Sequence, residues 1–148
     1  MGEARDDFMP AAVYGRSLKG LGLNLLVRDV EKSLAFLRDV LQVEVVYANP
    51  DFAVLAYEDR QWMLHADHTY HSNPLLALTG DGVLRGAGAE FHLYGTDPDA
   101  AEARARDAGH HVLQEATNKP HGLRECYLVD PDGYIWVASR PIPDDELP

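Results

Sequence analysis

The sequence predicts an α+β fold in which two tandem βαβββ modules pack around a cavity. Gly22–Leu41 and Glu90–Gly109 align as internal repeats, and Asp29 of the first matches Asp97 of the second. In each copy a short apolar strand leads through an acidic cap into an amphipathic helix, and three more strand-like segments follow. A unit of this kind cannot bury its own apolar face, so two packed copies are expected to form a pseudo-symmetric cavity.

The first module begins with a strand-like stretch, Gly20–Val27, in which alternation gives way to an apolar run. Asp29 is placed to cap a helix over Val30–Leu41. Along that helix the apolar side chains recur at i, i+4, i+7 and i+11, which predicts one buried stripe. Three strands are predicted after the helix: Glu44–Ala48, Phe52–Tyr57 and Gln61–Ala66.

The second module repeats this order. A strand over Ala89–Tyr94 comes first, and Asp97 then caps a helix that runs from Pro98 to Ala108. The Asp130–Gly133 turn reads DPDG, which is a strong hairpin signal. The remaining predicted strands are His111–Ala116, Leu123–Val129 and Tyr134–Ser139.

These elements divide the chain into five predicted parts: an N-terminal arm at 1–19, a first module at 20–67, a connector at 68–88, a second module at 89–141 and an acidic tail at 142–148. The N-terminal part mixes charges, a proline and small residues without a period, which indicates an arm or a disordered leader. The connector is long for a structureless loop and holds Leu75, Leu76 and Leu78, so part of it is expected to cover another surface.

The composition and net charge of the chain exclude some classes of binding partner. The 148 residues carry a formal net charge of −11 with a pI near 4.9, so nucleic acid and anionic membranes would be repelled. The single cysteine, Cys126, excludes an intrachain disulfide and lies in an apolar run, which indicates a buried thiol in a reducing compartment. The sequence has neither a signal peptide nor the ~18–20 apolar residues that cross a bilayer, and we expect a cytoplasmic protein.

Three segments resemble the vicinal oxygen chelate superfamily, the group of glyoxalase I, bleomycin-resistance proteins and extradiol dioxygenases. They are VRDVEKSLAFLRDVL at Val27–Leu41, DPDAAEARARDAG at Asp97–Gly109 and RECYLVDPDGYIWV at Arg124–Val137. The resemblance implies curved mixed sheets that face one another around a cavity. It also implies a homodimer, and many members hold a divalent metal in the cavity.

The resemblance places the metal ligands of the family at four positions of this chain. They are Gly22 on the first strand, Leu64 or His65 on the fourth strand, Glu90 at the start of the second module and Val137 on the last strand. Metal sites of this kind need three or four convergent N, O or S donors, and these positions offer one or two. We therefore expect no family metal site, with a bound divalent metal as the alternative.

Glu90, His92 and Tyr94 alternate along one predicted strand and must share a face. If Glu90 faces the cavity, as its family position implies, Glu90 and His92 are candidate catalytic residues and Tyr94 a candidate ligand contact. Asn24 is the counterpart of His92 in the first module and a second candidate contact. The alternative is a solvent-facing strand whose polar residues have no function.

Other candidate ligand contacts are more scattered. His65, His68 and His71 lie close together and could form a displaced metal site or a polar strand end. Arg124 could clamp a carboxylate or phosphate at the cavity rim beside Lys119, or it could be an edge-strand charge paired with a neighbour. Trp136 could stack on a ligand, although packing in the core is the favoured role for it.

Two functions fit these residues. In the first, the protein binds a small organic molecule in the inter-sheet cavity without a metal. In the second, it is a lyase, isomerase or dioxygenase that uses Glu90, His92 and His65, with or without a metal. The sequence does not decide between a cationic and an anionic ligand.

Overall fold

The computed structural model describes residues 8–69 and 74–148. It confirms the predicted α+β fold of two modules, each with one four-stranded mixed sheet. The first sheet contains β1 (Asn24–Val27), β2 (Glu44–Ala48), β3 (Phe52–Tyr57) and β4 (Arg60–Ala66), and the second contains β5 (Glu90–Tyr94), β6 (His111–Asn118), β7 (Leu123–Val129) and β8 (Ile135–Pro141). The spatial orders, β1-β4-β3-β2 and β5-β8-β7-β6, are equivalent, so the sequence repeat is also a structural repeat.

The helices are α1 (Ala11–Ser17), α2 (Val30–Leu34) and α3 (Pro98–Asp107). The predicted caps are confirmed, because the Asp29 carboxylate accepts a hydrogen bond from the Lys32 amide and that of Asp97 from the amides of Asp99 and Ala100. The predicted first-module helix differs in one respect. It continues beyond α2 as a π-helical segment, Ala35–Val40, whose Phe36 is fully buried in the core.

The N-terminal part differs from the predicted arm. Residues 1–7 lie outside the described residues, but the chain that follows them forms α1. Ala11, Tyr14 and Gly15 share one side of this helix, and together with Leu18, which follows the helix, they line a cavity against the first sheet. Burial of Tyr14, which is 8 % exposed, explains why an ordered helix forms where the local sequence signal is weak.

One apolar core serves both modules. Alternate side chains of the central strands enter it from each sheet, together with those of the helices. Trp62 of β4 and Trp136 of β8 meet there with ring centroids 5.6 Å apart. Polar residues at the intervening positions of these strands therefore lie on the faces turned away from this contact.

The connector packs on the second module, as predicted for part of it. The backbone amides of Arg85 and Gly86 donate to the carbonyls of Asp132 and Gly133, at 3.1 and 3.2 Å. Gly133 has φ +92° and its Cβ position lies 2.8 Å from the Leu84 backbone, so a side chain there would be strained and would also clash. The DPDG segment therefore closes the hairpin and also binds the connector.

The remaining predictions concern the ends and the compartment. The acidic tail forms a short 3₁₀ turn, Asp144–Glu146, and the Glu146 carbonyl accepts a hydrogen bond from Asn118. None of the helices in the described residues is long and apolar enough to cross a bilayer. The exact domain limits and the cytoplasmic location stay predictions.

The buried carboxyl group of Asp130 is expected to lower the free energy of unfolding as the pH rises. Burial raises its pKa from 3.8 to about 6, although hydrogen bonds from the Trp136 indole and the Tyr134 and Asp132 amides favour the charged form. Because the folded pKa lies above the unfolded one, this contribution is complete below about pH 4 and is lost as the pH rises through 6. The stability of the wild type relative to Asp130→Asn should fall by up to about 3 kcal/mol between pH 4 and 7.

Urea unfolding at a series of pH values measures this difference. Asp59→Asn, at a side chain 84 % exposed, is the control. A difference between wild type and Asp130→Asn that does not change with pH would contradict the prediction.

Candidate ligand-binding site

The second sheet turns a row of polar side chains away from the core. On β5, Phe91 and Leu93 pack into the core, so Glu90, His92 and Tyr94 project from the other side. The same alternation on β7 places Glu125 and Tyr127 on that side, because Cys126 and Leu128 are core residues. We call the surface formed by Glu90, His92, Tyr94, Glu125 and Tyr127 the polar face.

The three predicted residues of β5 come together on this face. The His92 Nε2 atom lies 3.9 Å from a Glu90 carboxylate oxygen, and the side chains are 24 % and 46 % exposed. The His92 ring stacks on that of Tyr94 with centroids 5.4 Å apart. A carboxylate, an imidazole and a phenol are therefore all within reach of a molecule placed on this face.

Glu125 and Tyr127 are site residues that the sequence reasoning missed. Glu125 is only 2 % exposed, and one of its oxygens lies 2.6 Å from His121 Nε2. The Tyr127 hydroxyl donates to its other oxygen at 3.2 Å. Burial, a hydrogen bond to Glu90 and the charge of Glu125 raise the pKa of Tyr127, so its hydroxyl remains a donor at neutral pH. The alternation of Cys126 and Leu128 was the signal that could have identified both residues.

Two buried polar atoms on this face have no hydrogen-bond partner among the described residues. They are the Nδ1 atom of His92 and the hydroxyl of Ser139, a residue that is fully buried. Ser139 lies opposite Glu125 on the neighbouring strand. Buried polar atoms are nearly always paired, and these two share their exceptional status with atoms elsewhere in the described residues, such as Trp62 Nε1 and Arg85 Nε.

Asn24 and His65 lie on the first sheet rather than beside Glu90. They project from adjacent strands on the face turned away from the core, and their side chains form a hydrogen bond. The His65 ring also contacts Phe52 at 4.7 Å between centroids, and burial lowers its pKa. These two predicted contacts therefore belong to a different surface from the polar face.

The prediction that Arg124 clamps a ligand at the cavity rim does not match its position. Its guanidinium lies on the helix side of the second sheet, where it makes two hydrogen bonds to Asp99 of α3, at 2.7 and 2.8 Å. A third hydrogen bond joins it to Asn118 at 2.9 Å. The alternation along β7 sets this orientation, because Arg124 is out of phase with Glu125 and Tyr127.

Trp136 also lies away from the polar face. It is 2 % exposed, packs against Trp62 and Phe91, and donates its indole N–H to Asp130. No ligand on the polar face can stack on a ring that is enclosed in the core. Its position therefore supports the packing role, and a ligand contact by Trp136 stays a prediction.

His65 and His68 of the predicted histidine cluster contact different residues. His68 lies in a 3₁₀ turn after β4 and its Nε2 atom is 2.6 Å from Asp51, whereas His65 is paired with Asn24. His71 lies outside the described residues. Within residues 8–69 and 74–148, no three His, Cys, Asp or Glu side chains are grouped so that they could hold a metal ion.

Comparison with known proteins agrees with this architecture. The family model of the Glyoxalase/Bleomycin resistance protein/Dioxygenase superfamily matches residues 21–138, most of the chain. The chain belongs to this superfamily. A search of curated proteins finds no match.

Solved structures from the superfamily share the fold. A glyoxalase-related enzyme from Fulvimarina pelagi is 20 % identical with a TM-score of 0.65, covering 86 % of this chain and 95 % of that one. A glyoxalase/bleomycin resistance protein/dioxygenase from Nocardioides is 20 % identical with a TM-score of 0.61, covering 90 % and 93 %. A family enzyme from Burkholderia phytofirmans PsJN is 15 % identical with a TM-score of 0.66, covering 81 % and 96 %. At these identities the likeness shows the fold alone.

The strand register corrects one of the four superfamily ligand positions. Val137 pairs with His92, and the first-module counterpart of His92 is Asn24, which pairs with Met63. The fourth position is therefore Met63, not Leu64 or His65. Of Gly22, Met63, Glu90 and Val137, only Glu90 carries a ligand that a hard or borderline divalent metal favours, so these four residues do not fit the superfamily metal.

Proposed function

We propose that this protein binds a small organic molecule on its polar face without the metal of the superfamily. The observation that carries the proposal is the combination of Glu90, His92 and Tyr127 on one accessible surface with the donor-poor set at the four superfamily positions. The unpaired His92 Nδ1 atom and the Ser139 hydroxyl support a role in ligand recognition, because a bound molecule could supply their missing partners.

The charges on this face favour a cationic or hydrogen-bond-donating ligand. Glu90 and Glu125 both present carboxylate oxygens, and both raise the pKa of the Tyr127 hydroxyl. Of the two cations that could have favoured an anionic ligand, only Arg124 is engaged away from this face. Arg124 is held by Asp99, and the Lys119 ammonium donates to Gln114 at 2.6 Å and lies 5.4 Å from the Tyr127 ring centroid.

A second candidate function is acid–base catalysis by a lyase or isomerase. The observation in its favour is the 3.9 Å separation of Glu90 and His92, which allows one to abstract a proton and the other to return it. His65, which the sequence suggested as a third member, lies on the other sheet and has no part in this arrangement. Dioxygenase chemistry is less well supported, because the four superfamily positions lack a metal-ligand set.

A homodimer in the cytoplasm is part of the same proposal. The polar face points away from the shared core, so a second copy could enclose a ligand there. Exposed apolar side chains of the connector, including Leu78 at 69 % and Leu84 at 63 %, support a contact with another chain. The buried Cys126, whose pKa burial raises to about 12, is consistent with a reducing compartment.

Native mass spectrometry of untagged protein, with elemental analysis of the same sample, tests the binding function. We expect a dimer with less than about 0.1 Mn, Fe, Ni or Zn per subunit, and a co-purified organic mass would name the ligand class. Retention of about one metal per subunit after dialysis, with loss of thermal stability on chelation, would contradict it. A monomer would contradict the dimer alone.

Variants of residues on the polar face distinguish the two candidate functions. If the face is catalytic, Glu90→Gln and His92→Ala should each lower turnover of a substrate by about 10²–10⁴-fold. If it only binds, the same variants should weaken affinity for the co-purified molecule, with no turnover by the wild type. Glu115→Gln and His111→Ala, at exposed positions of β6, are matched controls that should change neither quantity.

A further inference from the structure

Charged groups of both signs surround Tyr127 on the polar face. Its hydroxyl donates to Glu125 at 3.2 Å and is within hydrogen-bond reach of Glu90. The Lys119 ammonium lies 5.4 Å from the centroid of its ring. The carboxylates are thus at the hydroxyl of this phenol and the ammonium is over its ring, so a ligand beside Tyr127 would meet both signs of charge.

Only one of the two carboxylates is available to a ligand. Glu125 is 2 % exposed, and one of its oxygens lies 2.6 Å from His121 Nε2 while the other accepts from Tyr127. The Glu90 side chain is 46 % exposed, and His92 lies 3.9 Å away, which is too far for a hydrogen bond. Glu90 therefore presents the accessible negative charge of this group.

The Lys119 side chain is held in place at the edge of the polar face. In the turn between β6 and β7 its backbone amide donates to the Leu123 carbonyl at 2.8 Å, and its carbonyl accepts from the Gly122 amide at 3.1 Å. Its ammonium donates to the Gln114 side chain at 2.6 Å, and Gln114 pairs with Tyr127 across the strands. Part of the conformational entropy of this lysine is therefore lost before a ligand binds.

The partners of the Lys119 ammonium are neutral. They are the Gln114 amide and the Tyr127 ring, and within the described part of the chain no carboxylate forms an ion pair with it. A lysine ammonium has three N–H donors, and Gln114 accepts from one of them. A half-buried ammonium with free donors and no counter-charge favours a ligand that carries a carboxylate.

The spacing of these two charges suits one small molecule. Because both groups contact the same phenol, the Lys119 ammonium and the Glu90 carboxylate are at most about 11 Å apart, with one hydrogen bond of about 3 Å included. An amino acid that bridges an ammonium and a carboxylate through two hydrogen bonds of about 2.8 Å spans roughly 8–9 Å between the two protein atoms. A ligand with a single charge would be attracted by one group and repelled by the other.

We propose that the polar face binds a zwitterion of the amino-acid type, with its ammonium at Glu90 and its carboxylate at Lys119, an inference that rests on the proposed binding function. The two charged groups of the ligand lie on the same carbon atom or on adjacent ones. Tyr94, which is 60 % exposed and stacks on His92, offers an apolar surface to the rest of the molecule.

Three probes that share a phenyl skeleton test this ligand class on the unaltered protein. Phenylalanine carries both charges, 2-phenylethylamine only the ammonium and 3-phenylpropanoate only the carboxylate. NMR titrations followed at the rings of His92 and Tyr127 should show that phenylalanine binds at least about 10-fold more tightly than either analogue, since each analogue lacks one charge-assisted hydrogen bond. Equal affinity for phenylalanine and either analogue would overturn the proposal, as would the absence of a saturable shift with phenylalanine.

Two variants test which side chain binds which charge. In Lys119→Met the affinity for phenylalanine should fall about 10-fold, to that for 2-phenylethylamine, which should bind no worse because a like charge is removed. In Glu90→Gln the affinity for phenylalanine should fall to that for 3-phenylpropanoate, which should likewise bind no worse. An equal loss for all three probes in a folded variant would overturn the assignment.

Lys32→Met and Glu31→Gln, at exposed positions of α2 in the first module, are the matched controls and should leave all three affinities unchanged. If Lys119→Met or Glu90→Gln does not fold, the order of the three probes on the unaltered protein still decides the proposal.

The co-purified molecule distinguishes failure of this inference from failure of the proposed function. A molecule that shifts the His92 and Tyr127 resonances but carries only one charge would overturn the zwitterion and leave the binding function intact. A molecule that binds the protein without shifting either resonance would contradict the binding function of the polar face itself.

Discussion

The buried guanidinium of Arg85 joins the two modules and the connector. Its side chain is 1 % exposed and makes two hydrogen bonds to Asp67, at 2.6 and 2.7 Å, and one to the Leu26 carbonyl at 3.1 Å. Its Nε atom lies 3.8 Å from Asp132 in the DPDG turn of the second module. A buried cation is tolerated only when carboxylates and carbonyls surround it, so these groups must stay together in the folded state.

This constraint determines where the binding surfaces can lie. Arg85 holds the strand end of the first sheet against the turn of the second, and Arg28 reinforces the contact through Asp132 at 3.2 Å. The apolar faces of both sheets then close on one core around Trp62 and Trp136. The polar side chains of His65, Glu125, Tyr127 and Ser139 are left on the opposite faces. One of these faces carries carboxylates and the other aromatic rings, so the two faces differ in chemistry.

Much of the fold could be predicted, because strong local signals agreed with the tertiary packing. The predicted bounds of β2, β3 and β7 match the structure at both ends, and the caps Asp29 and Asp97 were read directly from the repeat. Helix α1 was missed because its seven residues have weak propensity and depend on contacts with the first sheet, which are far away in sequence.

The site was only partly predictable. The common side of Glu90, His92 and Tyr94 was predictable, because strict alternation along one strand fixes it. Glu125 and Arg124 are neighbours in sequence with opposite orientations; the alternation with the core residues Cys126 and Leu128 sets these orientations, and the contact of Arg124 with Asp99 of α3 shows the result. The fourth superfamily position required the pairing of β1 with β4, since a shift of one residue moves a side chain to the other face.

The stability of Arg85→Met tests the central role of this guanidinium most directly. The substitution keeps a long apolar side chain but removes the cation from Asp67 and leaves Asp132 with Arg28 alone. We expect urea unfolding to show that the free energy of unfolding falls by about 3–5 kcal/mol, or that the two modules unfold in separate transitions. Breaking a buried ion pair has this effect because it leaves a buried charge without a partner. Arg60→Met, at a side chain 84 % exposed, should cost less than about 0.5 kcal/mol. A single cooperative transition for Arg85→Met within 1 kcal/mol of the wild type would contradict the account.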